Sequence, residues 1–356
     1  MKPTAKLHES GQSIWLDNIS REMLDSGQLQ RYIDEYAVSG LTSNPSIFDK
    51  AIASGAYDGA IRRKAAEDHE ELFYELAIED LRRAADLFDP IHRRTGGVDG
   101  WVSLEVSPLL AYDASRTVQA AADLHARAGR ENLFIKIPGT QVGLAAIEES
   151  IFAGVPVNVT LLFSREQYLA AADAYMRGIE RRIAAGLDPV VDSIASVFMS
   201  RWDAAVLHRV PDALRSRLAI AIGLKTYQAY RELMDSERWQ RLANEGARVQ
   251  RLLWASTSTK DPESPDTLYV RCLNAPHTVN TMPESTLFAF QDHGAVDAPM
   301  PTDGGDADTT LAEFEAAGVD VAALGAKLQA DGAKSFTDSW NELLTRIDGQ
   351  VAALRA

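Results

Sequence analysis

Short runs rich in Val, Ile and Leu alternate with longer segments of helical periodicity along the 356-residue chain. Eight of these runs have the length and composition of β-strands. They span residues 14–19, 38–44, 102–107, 133–138, 155–163, 191–198, 252–256 and 278–282. The clearest helical stripe runs from Leu72 to Phe88, between the second and third strands. Because strands that alternate with helices form parallel sheets, the pattern predicts an α/β fold, a (β/α)8 TIM barrel with additional helices.

Segments outside this repeat bear on the domain organisation. Residues 209–246 and about 309–356 are long and helical in pattern, and residues 301–308 are predicted to form an exposed loop. We expect one barrel domain over residues 1–356, with the C-terminal helices packed on its outside or across one end. An open doubly wound sheet is the structural alternative, but no glycine-rich phosphate-binding sequence follows an early strand.

The composition indicates the class of protein. The chain is 46% hydrophobic and 24% charged, and no run of about 18 apolar residues predicts a transmembrane helix. Residues 1–13 are polar and lack the apolar stretch of a signal peptide. Cys272 is the only cysteine, which excludes an internal disulfide and any multi-cysteine metal site. Together these features predict a cytoplasmic protein.

The formal net charge is −15. A field of this sign repels the phosphates of nucleic acids and anionic lipids, so we expect neither nucleic acid nor a membrane as a partner. An anionic substrate would need a local cationic pocket that works against the global charge. The sequence leaves open whether the protein is a monomer or a homodimer.

Polar residues lie near the C-terminal ends of five predicted strands, mostly at a spacing of two residues. Side chains at i and i+2 point to the same side of a strand. The pairs are Thr42 and Asn44, Ser103 and Glu105, Asn158 and Thr160, and Ser196 and Phe198, and Asp17 lies near the end of the first strand. Since these strand ends ring the mouth of a barrel, the residues predict one shared pocket.

Lys136 is the strongest candidate for a catalytic residue. Within residues 133–138 the apolar side chains of one parity face outward, so Lys136 is predicted to face the barrel interior. A buried lysine loses hydration, which favours the neutral amine and lowers its pKa, and a neutral amine attacks carbonyls to form a Schiff base. A structural lysine paired with Asp17 or Glu105 is the alternative. Lys225, a competitor by sequence, is predicted to lie on a helix surface.

Schiff-base chemistry on a ketose needs a general acid/base that takes a hydroxyl proton as a carbon–carbon bond breaks. Asp17 and Glu105 are the candidates, and Thr160 could hold a water between them and the lysine. An Asp at a strand end is also a common cap of the next helix. The seven histidines show no metal-binding spacing, and nucleophile-elbow and phosphate-loop motifs are absent from the sequence, so no metal site and no cofactor are predicted.

Several motifs occur in a fixed order from the first predicted strand onward. They are Trp15-Leu16-Asp17, Leu41-Thr42-Ser43-Asn44-Pro45-Ser46, Val102-Ser103-Leu104-Glu105-Val106, Phe134-Ile135-Lys136-Ile137-Pro138, Asn158-Val159-Thr160-Leu161-Leu162-Phe163 and Ser196-Val197-Phe198-Met199-Ser200-Arg201. These motifs resemble the signatures of the transaldolase family, whose members are class I enzymes that form a Schiff base with the substrate. The stretches 254–256 and 278–283 resemble its longer bacterial members, so the resemblance covers nearly the whole chain.

The resemblance implies an activity. A transaldolase transfers a dihydroxyacetone unit from a ketose phosphate (sedoheptulose 7-phosphate or fructose 6-phosphate) to an aldose phosphate (glyceraldehyde 3-phosphate or erythrose 4-phosphate). It does so in the non-oxidative pentose phosphate pathway, without a cofactor. Lys136 would form the Schiff base, Asp17 would be the acid/base, and Glu105 and Thr160 would orient a catalytic water. The residues implied to bind the substrate are Thr42, Asn44, Ser103, Asn158, Ser196, Phe198, Arg201, Ser256 and Lys260.

One departure from the family pattern concerns the second phosphate-binding cation. Many relatives carry an arginine just after the seventh strand, where this chain has Ala255-Ser256-Thr257-Ser258-Thr259-Lys260. Lys260 is predicted to replace that arginine. An ammonium group binds a phosphate as a point charge, so its direction of approach is less restricted than that of a guanidinium group. A plain surface lysine is the alternative.

Phe198 bears on the closest rival function. Related sugar-phosphate aldolases tend to have a tyrosine here, whose hydroxyl can position a proton-donating water, and phenylalanine cannot. A dry site protects a three-carbon carbanion until an acceptor arrives, which favours transfer over an aldolase that releases free dihydroxyacetone. A core phenylalanine at a strand end is the structural alternative. A catalytically inactive barrel that serves as a binding module is a third hypothesis, which Lys136, Asp17 and Glu105 disfavour.

Overall fold

The computed structural model describes residues 2–64 and 68–355. Eight parallel strands form one sheet, ordered β2-β1-β8-β7-β6-β5-β4-β3. They are β1 (Ser13–Asp17), β2 (Val38–Thr42), β3 (Val102–Glu105), β4 (Leu133–Pro138), β5 (Val157–Leu162), β6 (Ser193–Phe198), β7 (Arg251–Ala255) and β8 (Thr278–Met282). Each predicted strand is present with its ends shifted by at most two residues, so the TIM-barrel prediction is confirmed.

Backbone hydrogen bonds close the barrel between β2 and β3. The amide of Leu41 donates to the carbonyl of Trp101 at 2.9 Å, and the amide of Gly100 donates to that of Ser39 at 2.9 Å. A Cβ atom on Gly40 would lie 2.6 Å from the Trp15 side chain and 2.8 Å from the Trp101 carbonyl oxygen. Only glycine fits between these groups, so Gly40 permits the close approach that completes the barrel.

Helices surround the barrel and cross one of its ends. In the described ranges they are α1 (Pro3–Glu9), α2 (Arg21–Asp25), α3 (Gln28–Tyr36), α4 (Pro45–Ala53), α5 (Asp58–Lys64), α6 (His69–Arg94), α7 (Ala114–Ala128), α8 (Gly143–Phe152), α9 (Arg165–Ala184), α10 (Ser200–Val206), α11 (Leu218–Asp235), α12 (Glu237–Asn244), α13 (Leu268–Cys272), α14 (Glu284–His293), α15 (Ala307–Ala316) and α16 (Val321–Arg355). The stripe from Leu72 to Phe88 lies in α6, and both of these residues are fully buried. The helix predicted from residue 209 begins only at Leu218, because the chain before it makes a short 3₁₀ turn and passes Ser216 at φ 59°.

The longest helix, α16, crosses the C-terminal mouth of the barrel. Near its start, Gln329 donates to the carbonyl of Gly139 at 3.0 Å and to that of Leu161 at 2.9 Å, at the ends of β4 and β5. Near its end, Gln350 donates to the carbonyl of Ile52 in α4 at 3.0 Å. The C-terminal helical segment therefore lies across the C-terminal end of the barrel. That residues 1–356 form a single domain stays a prediction.

Toward the opposite end of the barrel, aromatic side chains pack against one another. Trp101 and Phe134 stack with their centroids 3.9 Å apart, and Trp15 lies 6.3 Å from Phe134. All three are at least 97% buried. These apolar rings occupy the lower layer of the barrel, and the upper layer carries polar residues, as is usual in this fold. Among the helices of the described ranges, none is long and apolar enough to cross a membrane.

Candidate active site

A cavity of about 370 Å³ opens at the C-terminal mouth of the barrel. The predicted site residues that line it are Asp17, Thr42, Asn44, Lys136, Thr160, Ser196, Phe198, Arg201, Ser256 and Lys260. These residues lie on five strands and in the segments that follow β2, β6 and β7. The parallel barrel brings the ends of all its strands to one side, so residues distant in sequence meet there.

Lys136 faces into the barrel from the middle of β4. In the sheet register it lies opposite Glu105 on β3 and Asn158 on β5. Its Nζ atom lies 3.3 Å from the Glu105 Oε2 atom and donates to the carbonyl oxygen of Ser43 at 3.2 Å. The side chain is 6% exposed. Lys136 therefore faces the barrel interior, as the alternation of side chains along β4 predicts. The ion pair with Glu105, which the alternative of a structural lysine requires, is also present.

Two carboxyl groups flank the lysine with altered proton affinity. Burial raises the pKa of Asp17 above its ordinary value of 3.8, against the opposing effects of Lys136, a hydrogen bond from Thr42 and Lys260. Burial likewise raises the pKa of Glu105 above 4.5, against the attraction of Lys136. A raised pKa brings a carboxyl group closer to exchanging protons near neutral pH, which suits acid/base chemistry.

A buried polar gap lies next to Lys136. Apart from the ion pair between Glu105 and Lys136, the buried carboxylate oxygens of Glu105 and the buried hydroxyl of Thr160 have no hydrogen-bond partner among the described residues. Buried polar atoms are rarely left unsatisfied, so an ordered water between these groups is the expected partner. This geometry supports the prediction that Glu105 and Thr160 orient a catalytic water.

Ser103 and Asn158 lie one layer below the cavity wall. Ser196, which lines the cavity, donates to the Oδ1 atom of Asn158 at 2.7 Å. The Nδ2 atom of Asn158 donates to the hydroxyl of Ser103 at 3.1 Å. Both lower residues have no exposed surface. The structure connects them to the cavity through Ser196, and their direct contact with a substrate stays a prediction.

Thr42 and Asn44 hold the first carboxyl group and the next helix in place. The hydroxyl of Thr42 donates to the Oδ1 atom of Asp17 at 2.8 Å. Asn44 is the N-cap of α4, where its Oδ1 atom accepts from the amide of Ile47 at 3.1 Å and from the hydroxyl of Ser46 at 2.7 Å. The cap uses the oxygen of Asn44, so its Nδ2 group is the donor available to a substrate oxygen.

The cavity is locally cationic although the chain carries a net charge of −15. Of the described lining residues, Lys50, Lys136, Arg201 and Lys260 are basic, and only Asp17 is acidic. Burial lowers the pKa of Arg201, and burial and then the charge of Arg201 lower that of Lys260. Within residues 2–64 and 68–355 neither cation of this last pair forms a salt bridge, so both are available to an anion.

Sequence reasoning missed part of the cavity wall. Ser335, Phe336 and Ser339 line it from α16, and Thr281 lines it from β8. Thr281 is a polar residue near a strand end, so the signal used for the other strands could have found it. Nothing in the local pattern of α16 separates these three residues from the rest of an amphipathic helix. Over the part of the chain that the structure describes, no cluster of His, Cys, Asp or Glu could hold a metal ion.

Eight parallel strands around a cavity with a buried lysine and flanking carboxyl groups define a (β/α)8-barrel enzyme with its site at the C-terminal mouth. A family model described as Transaldolase/Fructose-6-phosphate aldolase matches residues 14–347. The transaldolase of Parafrankia sp. (strain EAN1pec) is 46% identical over 364 residues, which cover 99% of this chain and 99% of that protein. The chain belongs to the transaldolase/fructose-6-phosphate aldolase family.

Other relatives agree. The transaldolase of Thermobifida fusca (strain YX) is 46% identical over 363 residues, covering 99% of both chains. That of Neisseria gonorrhoeae (strain ATCC 700825 / FA 1090) is 44% identical over 341 residues, covering 95% of this chain and 97% of its own. Since these full-length relatives carry the name of one transferase, the chain is an enzyme of the transferase class.

Proposed function

We propose that the protein transfers a dihydroxyacetone unit from sedoheptulose 7-phosphate or fructose 6-phosphate to glyceraldehyde 3-phosphate or erythrose 4-phosphate, in the non-oxidative pentose phosphate pathway. The observation that carries this proposal is the position of Lys136, whose Nζ atom lies 3.3 Å from Glu105 in a cavity that Asp17 also lines. The names of the full-length relatives support the same reaction.

The first step joins the donor to Lys136. The lone pair of the neutral amine forms a bond to the carbonyl carbon, C2, of the ketose, and the carbonyl π electrons move to its oxygen. That oxygen takes up two protons, one of them from the attacking amine, and leaves as water. Glu105 and Thr160 hold the water molecule that carries these protons. The product is a protonated imine whose positive charge lies on the nitrogen of Lys136.

The second step breaks the donor between C3 and C4. Asp17 accepts the proton of the C4 hydroxyl, the electron pair of the C3–C4 bond moves toward the imine nitrogen, and the aldose phosphate leaves. A three-carbon enamine remains on Lys136. An acceptor aldehyde then takes the same place, the enamine carbon attacks it, and Asp17 returns the proton to the new hydroxyl. Hydrolysis of the imine releases the product ketose.

Phe198 supports transfer rather than release of free dihydroxyacetone. Its ring lies 5.4 Å from that of Phe163 and 6.4 Å from that of Phe336, measured between centroids. The side chain is 7% exposed. An aromatic wall with no hydroxyl cannot position a water that would protonate the enamine, so the intermediate survives until an acceptor arrives.

Borohydride reduction in the presence of fructose 6-phosphate tests the proposed reaction. We expect a dihydroxyacetone-derived adduct on the peptide that contains Lys136, identified by mass mapping. Without an acceptor, less than one equivalent of free dihydroxyacetone should accumulate per enzyme, and glyceraldehyde 3-phosphate should be released. Sustained release of dihydroxyacetone would favour the aldolase, and no adduct on a folded protein would favour a non-catalytic barrel.

Arg201 and Lys260 are proposed to bind the substrate phosphate. The change Arg201→Gln should lower kcat/KM for fructose 6-phosphate by roughly 10- to 100-fold, mainly through KM, because a charge-assisted hydrogen bond is lost. Lys260→Gln should have a smaller effect in the same direction. The measurement compares fructose 6-phosphate with unphosphorylated fructose as donors. Equal losses with both donors would contradict a phosphate role, and Lys225→Gln on the outside of the barrel is the control.

The remaining proposals concern the surroundings of the enzyme. Cys272 is free, which supports a cytoplasmic location. The net charge of −15 disfavours nucleic acid and membranes as partners, and the basic lining of the cavity supports sugar phosphates. The proposed steps use only side chains of this protein and require no cofactor. A monomer and a homodimer both fit these proposals.

A further inference from the structure

We propose that Phe336 stabilises the positive charge on the nitrogen of Lys136 during the reaction, so that α16 contributes to the chemistry as well as covering the site. This inference rests on the proposed Schiff-base function. The Nζ atom of Lys136 lies over the ring of Phe336, 5.5 Å from its centroid. Phe336 is 8% exposed and lines the same cavity. A cation within about 6 Å of a phenyl centroid is attracted by the negative face of the ring.

The ring matters most after the imine forms. An ammonium group has three N–H donors, and Lys136 directs them toward Glu105 at 3.3 Å and the carbonyl of Ser43 at 3.2 Å. A protonated imine keeps the positive charge but only one N–H donor. At least one of these two polar contacts is therefore weakened when the donor sugar is bound covalently. The attraction of a ring face needs no N–H bond and persists.

The charge on the carboxyl group of Glu105 also changes during the proposed reaction. Burial raises the pKa of Glu105, and the proposed water relay passes protons through this group. Whenever Glu105 holds a proton, it no longer balances the charge on the imine nitrogen. The face of Phe336 is then a neutral source of negative potential that does not titrate.

The aromatic ring of Phe198 helps to hold Phe336 in this position. Phe198 meets it edge-on, with centroids 6.4 Å apart and an interplanar angle of 64°. The guanidinium of Arg201 lies 5.3 Å from the centroid of Phe198. The rings of Phe336 and Phe198 thus form a continuous series of contacts from Lys136 to Arg201, which is proposed to bind the phosphate.

The helix that carries Phe336 is fixed on both sides of it. Gln329, two turns earlier on the same face, binds the carbonyls of Gly139 and Leu161 at 3.0 and 2.9 Å. Trp340, one turn later, is 1% exposed and lies 5.1 Å from Phe73 between centroids. These contacts leave the ring little freedom to move away from Lys136, as a contribution to the charge requires.

The competing explanation is that Phe336 only fills space and excludes water from the cavity. Substitutions can distinguish this role from stabilisation of the charge. Leucine and methionine are apolar and similar in bulk but have no π face, whereas tyrosine keeps the face. We would measure the fraction of enzyme trapped by a short pulse of borohydride at saturating fructose 6-phosphate, with intact mass as the readout. Phe336→Leu and Phe336→Met should lower the ratio of imine to unreacted enzyme by roughly three- to tenfold. Phe336→Tyr should stay within about twofold of the wild type.

Phe314→Leu is the matched control, because it makes the same change at a buried phenylalanine of α15 that does not line the cavity. It should trap as the wild type does. Leu and Met variants that trap as much imine as the wild type would overturn the role of Phe336, as would an equal loss in the Phe314→Leu control. A wild-type protein that forms no adduct at all would instead contradict the Schiff-base function on which the inference rests.

Discussion

Replacing Lys136 by arginine is expected to abolish dihydroxyacetone transfer and borohydride-trapped adducts while the protein stays folded. Arginine keeps a positive charge next to Glu105, which lies 3.3 Å from the lysine Nζ atom, so no carboxylate is left buried alone. A guanidinium remains protonated and cannot form an imine. The kcat for transfer should therefore fall by about 10⁴-fold or more, measured with fructose 6-phosphate and erythrose 4-phosphate.

Lys225→Arg is the matched control for this prediction. Lys225 lies on α11, outside the cavity, and forms a salt bridge with Asp308 at 2.9 Å. We expect it to keep the wild-type rate within about twofold, because it keeps the positive charge opposite Asp308 and changes no cavity residue. A Lys136→Arg enzyme that retained more than about one hundredth of the wild-type rate would contradict a covalent role. Lys136 would then be the structural lysine that its ion pair with Glu105 also allows.

The strands and the mouth of the barrel could be predicted because their signals are local. A strand buried on both faces is a short apolar run, and a polar residue inside such a run is conspicuous. Lys136 in β4 and the pair of Ser103 and Glu105 in β3 are examples. The parallel fold then brings these residues together, since every strand ends on the same side of the barrel. This is why ten of the predicted residues line one cavity.

Depth within the barrel could not be predicted from the same pattern. Residues at i and i+2 share a face but differ in height by roughly 6 to 7 Å along the strand. Ser103 lies two residues before Glu105, and Asn158 lies two residues before Thr160, so both belong to the layer below. Spacing therefore predicts which side of a strand faces the interior, and not whether a side chain reaches the substrate.

The position of α16 is a long-range property. Its amphipathic pattern predicts that one face is buried, but the same face could pack on the barrel wall, the barrel floor or another subunit. The contact between Lys136 and Phe336 depends on a helix at the end of the chain crossing the mouth near β4 and β5. No spacing rule relates these two residues, which explains why Phe336 was missed.

The change Asp17→Asn is expected to lower kcat for transfer by about 10²- to 10⁴-fold, the range typical of a lost general acid/base. Asparagine keeps an oxygen that can accept the hydrogen bond from Thr42, which the carboxylate now accepts at 2.8 Å. It cannot take the C4 hydroxyl proton, so bond cleavage should slow while imine formation continues. Borohydride trapping should therefore find at least as much adduct as in the wild type. A loss of adduct parallel to the loss of rate would place Asp17 in imine formation instead.

The same substitution is expected to stabilise the folded protein at neutral pH. Because burial raises the pKa of Asp17 above 3.8, the folded state favours the protonated carboxyl group, and ionisation of this group opposes folding at higher pH. The neutral side-chain amide of the Asp17→Asn variant avoids this cost. Below 3.8 the carboxyl group is protonated in both the folded and the unfolded protein, so the gain should disappear there.

Thermal unfolding of the two proteins at neutral pH and at about pH 3.5 measures this difference. The exposed Asp303→Asn variant is the control and should leave the unfolding temperature unchanged at both pH values. A lower unfolding temperature for Asp17→Asn at neutral pH would mean that attraction to Lys136 and Lys260 outweighs desolvation, and that the carboxylate is held for stability. A higher one, together with the loss of transfer, would mean that the fold retains a destabilising carboxyl group at the barrel mouth because the chemistry requires it.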